Sequence, residues 1–449
     1  SLVSMTKATR REVSVRFDKP IQEDVMRSAY LWNTISGLLM AFQSVIVVIV
    51  ISHVCDATAA GVFTLAYAHA NLFLTIGKWG ERAYQASDTT GEYSFAEYGV
   101  SRIATSLLML ALGTALLALN AVSVGYPPDK TAVVFLMLLF KLVDCVEDVY
   151  HGEYQREGRL DVAGKVLTAR LLTTIALYVA AIIILRDQLP ALALATAYTT
   201  LFAVCECIWA RLRHKLPQPG QGFLPGKVGR LLLACFALAL VTSLQYYLTN
   251  APKYAIDARL DDLHQAYYGY LAMPTFVVSM LSSFIYNPNL TPLGLSWARH
   301  DVRGFSSTVR RIIALIVAIT IACDVAAAIL GIPILSALYA ADLSPYVIEL
   351  VVLVTGGGFL AVAMLLTSVM AIMRRQNSLI VGNVIAAALA ALLCPVATEL
   401  FGITGAAWSY LATMVLLVIS FLVPYARELS RAHESSAEES QLPKPLARD

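Results

Sequence analysis

Apolar stretches recur along this 449-residue chain at a length that leaves one fold class open. Twelve can be delimited, at 27–51, 58–78, 103–124, 131–151, 162–185, 190–210, 228–248, 265–286, 308–331, 346–373, 378–397 and 403–424. Each is about 20 residues long, enough for a helix to cross roughly 30 Å of hydrocarbon. Within lipid a backbone must satisfy its own polar groups, which selects helices. Only 14% of residues are charged and mean hydropathy is +0.67, so the short polar connectors could not cover these segments in water. An all-α polytopic membrane protein is expected, with the lipid bilayer as its first partner.

The basic residues test the span count independently, because positive charge stays on the cytoplasmic side. With twelve spans and both termini cytoplasmic, 29 Lys and Arg fall on the cytoplasmic side; only Lys130, Arg186, Lys253 and Arg259 fall outside. The longest outer connector is expected around 248–263, LTNAPKYAIDARLDDL. The formal net charge of +2 says little, because its distribution carries the information, and no nucleic-acid partner is expected. All seven cysteines lie in or beside apolar spans, the habit of a small buried hydrophobe rather than of a disulfide framework or metal site. The first apolar run begins too far in for a cleavable signal peptide, and the tail after Glu428 reads as disordered.

A Pro- and Gly-rich connector, RLRHKLPQPGQGFLPGK, divides the spans six and six. An even number per half keeps both halves in one orientation, as in parallel repeats about an axis along the membrane normal. The expected organisation is an N-terminal arm (1–26), a first lobe (27–214), a linker (215–227), a second lobe (228–424) and a cytoplasmic tail (425–449).

Ionisable groups gather in VDCVEDVYHGEYQREGRLDVAGK, residues 143–165. A rise of about 1.5 Å per residue puts Lys141 near mid-bilayer, with Asp144, Glu147 and Asp148 in the inner half. At about 2.5–3.5 kcal/mol per central charge these groups must face protein or water. Lys141, Asp144, Asp148, His151 and Gln155 share one narrow helical stripe with Glu147 at its edge. Gly158 is expected to end this helix and Asp161 to cap the next. Further polar groups are His69, Asn71, Lys78 and Arg82 near the second span, Arg170 in the fifth and Glu206 in the sixth. Gly356, Gly357 and Gly358 would allow bending or close packing in the tenth.

Two readings of these charges stay open. In one, Lys141 and Arg170 neutralise the neighbouring acids in a structural network, and Arg82 and Arg102 are interfacial anchors. In the other, the stripe lines a hydrated cavity between the lobes. Buried cations then attract an anionic headgroup, and the acids balance charge or take up a coupling ion, H+ or Na+.

Twelve spans in two parallel sixes, EYSFAEYGVSR, EDVYHGEYQREGRLDVAGK and GITGAAWSYL together resemble bacterial lipid-linked oligosaccharide flippases. These polysaccharide and O-antigen exporters of the multidrug/oligosaccharidyl-lipid/polysaccharide superfamily share a fold with multidrug and toxin extrusion (MATE) antiporters. The resemblance implies a MATE-like V-shaped protein of the bacterial cytoplasmic membrane. It would move an undecaprenyl-diphosphate-linked oligosaccharide outward by alternating access for cell-surface polysaccharide synthesis, with no cofactor. Polymerases or glycosyltransferases of the same pathway are implied partners. The family's cationic cavity maps onto Arg170, Lys141, Lys78 and Arg82. Cavity-lining or coupling roles go to Asp144, Glu147, Asp148, His69, Asn71 and Glu206.

The chain departs from the related drug antiporters, which often rely on an acid in the first span; here that span offers Asn33, Ser36, Gln43 and Ser44. Two alternatives stand beside the flippase. One is a cation-coupled multidrug or small-molecule antiporter of the same fold. The other is a membrane glycosyltransferase or polysaccharide polymerase, for which only the outer segment with Asp257, Arg259, Asp261 and Asp262 could supply catalytic groups.

Overall fold

A computed structural model describes residues 23–88, 91–214 and 222–441. Most of the expected linker and part of the N-terminal arm and tail lie outside these residues. The first half comprises α1 (Glu23–Val54), α2 (Ala57–Lys78), α3 (Glu81–Ser87), α4 (Phe95–Asn120), α5 (Pro128–Arg156), α6 (Leu160–Leu185) and α7 (Gln188–His214). The second half comprises α8 (Pro225–Arg259), α9 (Asp262–Tyr286), α10 (Leu290–Ala298), α11 (Val302–Ala326), α12 (Ile332–Tyr339) and α13 (Val347–Ile372). The helical run Gln376–Gln441 completes it, and Gly402, at φ 60° and ψ −137°, breaks that run into α14 (376–401) and α15 (403–441).

Local chemistry accounts for several boundaries. Asp56 caps α2 by accepting from the Ala59 amide at 2.6 Å. Ser94 and Glu97 form a reciprocal capping box at the start of α4. Gly158 ends α5 in the left-handed region at φ 72°, as expected. Asp161, expected as a cap, lies instead in the first turn of α6, where it accepts from Arg159 Nε at 2.9 Å.

Two further expectations change. The outer connector expected at 248–263 is almost all helix, because α8 runs to Arg259 and only Leu260 and Asp261 remain as a turn. The buried side chains of Leu248, Ala251, Ala255 and Ile256 recur at helical spacing and hold this segment in the packed interior. The tail expected to be disordered continues as helix to Gln441. Glu428 anchors its start by accepting from Arg375 at 2.7 Å and Arg431 at 2.9 Å.

Among the described residues, ten helical stretches are long and apolar enough to cross a membrane, which makes this a multi-pass membrane protein. The fourth expected span, α5, is not among them: it has the length, 29 residues, but carries too much charge. The eleventh and twelfth count as one stretch because α14 and α15 are continuous apart from Gly402. Within the first half α1 packs along α6, α2 along α5, and α7 against both α5 and α6. Within the second half the run 376–441 packs along α8 and α13, and α9 packs on α13. The halves meet mainly where α2 lies against α8 and α9.

Candidate functional site

The charged stripe of α5 turns inward on the first half. Lys141 donates to Asp144 Oδ2 at 3.0 Å and to Gln43 Oε1 of α1 at 3.2 Å, and its Nζ sits 4.8 Å from the centre of the Tyr67 ring. From α6, Arg170 Nη2 lies 2.5 Å from Asp144 Oδ1 and 2.8 Å from Glu147 Oε2, while Nη1 donates to Thr199 Oγ1 of α7 at 2.8 Å. Asp148 gathers three cations: Arg102 Nη2 at 3.1 Å, Arg82 Nη1 at 3.4 Å and Lys78 Nζ at 3.7 Å. Arg102 also donates to the Gly77 carbonyl at 2.7 Å and pairs with Glu81 at 3.6 Å. Lys141 and Arg170 are each 1% exposed, against 32% for the side chains of Lys78 and Arg82.

Four carboxylates (Glu81, Asp144, Glu147, Asp148) thus pair with five cations (Lys78, Arg82, Arg102, Lys141, Arg170) inside one half of the molecule, with buried Glu206 beside them. Burying each ion costs several kcal/mol, and tight pairing with further hydrogen bonds is what offsets it. One corner is less complete. His151 Nε2 lies 3.1 Å from Glu206 Oε1 and 4.0 Å from Glu147 Oε1, and one atom from each residue can be chosen so that all three lie within 4.8 Å. Glu147 Oε1 and Glu206 Oε2 are buried without a hydrogen-bond partner. That corner has the donors to hold a small cation or a shared proton.

The remaining expected residues are placed plainly. His69 is buried with Nε2 at 3.0 Å from the Gly113 carbonyl, and Asn71 donates to the Tyr67 carbonyl of its own helix at 2.8 Å. Arg102, weighed from sequence as an anchor, is 2% exposed and central to the Asp148 cluster. Glu81, which the sequence puts with Lys78 and Arg82 at the inner end of the second span, is fully buried too and accepts from Ser101. Glu81 opens the short helix α3 and Arg102 lies two turns into α4, and only the packing of these helices against α5 buries them.

A separate cavity of about 270 Å³ lies between the halves. Its wall includes Ser44 and Val48 of α1, Thr64 and Tyr67 of α2, Tyr246, Asn250 and Lys253 of α8, Tyr268, Thr275 and Ser279 of α9, and Tyr410 of α15. None of Arg170, Lys141, Lys78 and Arg82 lines it, and among the described residues no Asp or Glu does. Lys253, assigned from sequence to an outer connector, is the one basic residue among its described lining residues.

Toward the end assigned to the outside, the halves are bridged closely. Lys130 of α5 reaches Asp257 of α8 at 2.7 Å and Asp262 of α9 at 2.6 Å, and Tyr126 also donates to Asp257. Ser52 and Tyr270 hydroxyls lie 2.6 Å apart, and Tyr254 donates to the Ala68 carbonyl at 3.0 Å. At the opposite end α8 makes the bridging contacts, through Trp79 Nε1 to the Leu232 carbonyl and Lys227 Nζ to the Glu92 carbonyl, both 2.9 Å.

No protein-family model matches the chain, and no curated protein matches it. Solved structures do. An inward-facing multidrug resistance MATE family transporter of the MOP superfamily aligns over 88% of this chain and 96% of its own, at TM-score 0.67 and 13% identity. The lipid II flippase MurJ, in an inward closed conformation, aligns over 88% and 89%, at 0.64 and 11%. A MOP superfamily transporter from Pyrococcus furiosus, described as having a binding pocket of reverse polarity, aligns over 92% and 97%, at 0.55 and 15%. These structures are transporters, not enzymes, and at such identities the likeness is one of fold. The chain has the all-α polytopic fold of MATE-like, V-shaped membrane transporters.

Proposed function

We propose that this protein is an alternating-access flippase of twelve spans in two six-helix lobes, moving a polyprenyl-diphosphate-linked oligosaccharide from the cytoplasmic to the outer leaflet. The observation that carries this reading is the chemistry of the cavity between the halves: four tyrosines, several hydroxyls and an amide, with no carboxylate among the described lining residues. Aromatic faces and hydroxyls suit a saccharide, and the ammonium of Lys253 in a wall without carboxylates opposes a cationic drug. The bridged outer end fits the inward state from which such a cargo would be loaded, and two of the matched structures are inward conformations. The polyprenyl tail would stay in lipid while the headgroup crosses. On this reading the protein acts in a bacterial cytoplasmic membrane, with polymerases or glycosyltransferases handling the same cargo.

A second reading, a cation-coupled small-molecule exporter, is favoured by the fold comparisons taken alone, in which MATE transporters recur. It also has a coupling candidate in the corner formed by Glu147, His151 and Glu206. The two separate in reconstituted vesicles. The flippase reading expects movement of a fluorescent undecaprenyl-diphosphate-linked saccharide to the opposite leaflet and no efflux of ethidium. Ethidium efflux driven by a proton or sodium gradient, without lipid movement, would replace it with the exporter.

A further inference from the structure

Among the described residues, the lysines drawn into the interior are paired, with one exception. Lys141 is held by Asp144 and Gln43, and Lys130 by Asp257 and Asp262. Lys253 is only partly exposed, lines the cavity between the halves, and makes no ion pair or hydrogen bond with any described residue. Its nearest acid along the helix, Asp257, is one turn on and already taken up by Lys130 and Tyr126. A sequestered ammonium without a counter-charge is costly, and a protein that pairs its other buried cations so thoroughly leaves this one for a partner that comes and goes.

The surroundings supply the rest of an anion site. On the same helix Tyr246, Thr249 and Asn250 stand seven, four and three residues before Lys253, the spacing that puts all four on one face. Opposite them are Thr275 and Ser279 of α9 and Tyr410 of α15. Ser279 Oγ and Tyr410 Oη are buried in that wall with no hydrogen-bond partner. Pro252 removes a backbone donor directly before Lys253, so the Leu248 carbonyl loses its helical partner in the same stretch.

We propose that Lys253 is the anion-recognising residue of this cavity, receiving a phosphate or diphosphate group of the cargo with the orphan hydroxyls of Ser279 and Tyr410 as additional donors. This deepens the flippase reading and rests on this cavity being the cargo path. An ammonium in a wall of low polarity attracts a phosphate far more strongly than one in water, and the tyrosine faces then contact the attached sugar.

The test measures binding to the purified full-length protein in nanodiscs, using inorganic pyrophosphate, farnesyl diphosphate and farnesol as probes. Farnesyl diphosphate should bind the wild type, Lys253→Gln should weaken it by about tenfold or more, and Lys253→Arg should stay within about threefold because it keeps the charge. Farnesol should not distinguish the variants. Pyrophosphate binding equal to that of farnesyl diphosphate would mark a soluble anion as sufficient, and a preference for the prenylated probe would mark a lipid headgroup; both retain the role of Lys253. Unchanged binding by Lys253→Gln, or no binding of either anion to wild type, overturns it. If Lys253→Gln fails to fold, amine-reactive labelling of wild-type Lys253 read by mass spectrometry decides: protection by the anions supports the site, and undiminished labelling ends it. Anion binding through Lys253 without saccharide-lipid movement would keep this inference and discard the flippase. Movement with Lys253→Gln binding intact would do the reverse.

Discussion

Arg170 and Asp144 are joined by a contact of 2.5 Å between two side chains that are almost completely buried, at 1% and 6% exposure. The guanidinium also holds Glu147 at 2.8 Å, so one cation on α6 fixes two acids on α5. Removing one partner of such a group leaves uncompensated buried charge, at about 3–5 kcal/mol. Arg170→Ala is therefore expected to lower thermal stability and folded yield in detergent. Arg170→Ala combined with Glu147→Gln should recover part of the loss. A fully stable Arg170→Ala protein that has lost transport would instead place Arg170 in the cargo path.

Asp148 serves Arg102, Arg82 and Lys78 at once, and its partners differ in exposure. Asp148→Asn should destabilise by several kcal/mol, because Arg102 loses its counter-charge inside the protein. Lys78→Ala should cost at most about 1 kcal/mol, as its contact is longer and partly screened by solvent. Unfolding midpoints of the two variants test the ranking.

The outer bridge between the halves should control which way the cavity faces. Lys130→Gln removes the cation that ties α5 to Asp257 and Asp262. Spin labels at Asp129 and Ser344, on opposite halves, should then report longer distances than in the wild type. A distribution that stays put would mean that the remaining contacts between the halves hold the closure.

Gly61 offers a steric route to the same end. A Cβ there would sit 1.8 Å from the Asp262 carbonyl oxygen, a backbone atom that cannot rotate away. Gly61→Ala should wedge α2 from α9 and lengthen the same distance, with a stability loss of about 1–3 kcal/mol typical of overpacking. In α13, Gly358→Ala would meet the Thr320 hydroxyl, the end of a side chain within the second half, so it should destabilise without moving the halves apart.

Asp88, in the turn after α3, gives an acid-range signature. Burial alone would raise its carboxyl, but amides of Tyr93 at 3.0 Å and Glu92 at 2.9 Å, with Arg156 and the Tyr98 hydroxyl, hold it below the ordinary aspartate value. A depressed folded value contributes stability above the unfolded pKa, and that contribution disappears as pH falls through the folded value. Asp88→Asn should lower stability at neutral pH and flatten the loss of stability between about pH 5 and the acid limit, read from unfolding midpoints against pH.

The membrane class and the helix positions are written in the chain, because crossing hydrocarbon demands a length and an apolarity that no soluble connector imitates. The stripe on α5 was legible too, since helical spacing alone puts Lys141, Asp144 and Asp148 on one face. Arg170 could be named as a partner for these acids, and it is one, but the other neighbours of that face could not. Arg170, Gln43 and Thr199 approach from other helices 26 to 98 residues away, or across from Arg170 itself, and their approach depends on how α1, α6 and α7 pack around α5. The same limit hid Lys253 among outer-loop residues: its helix continues because Leu248, Ala251, Ala255 and Ile256 find burial. Local pattern identifies which residues can form a helix and which face is polar, whereas the pairing of one buried charge and the isolation of another are decided only when separate helices close around them.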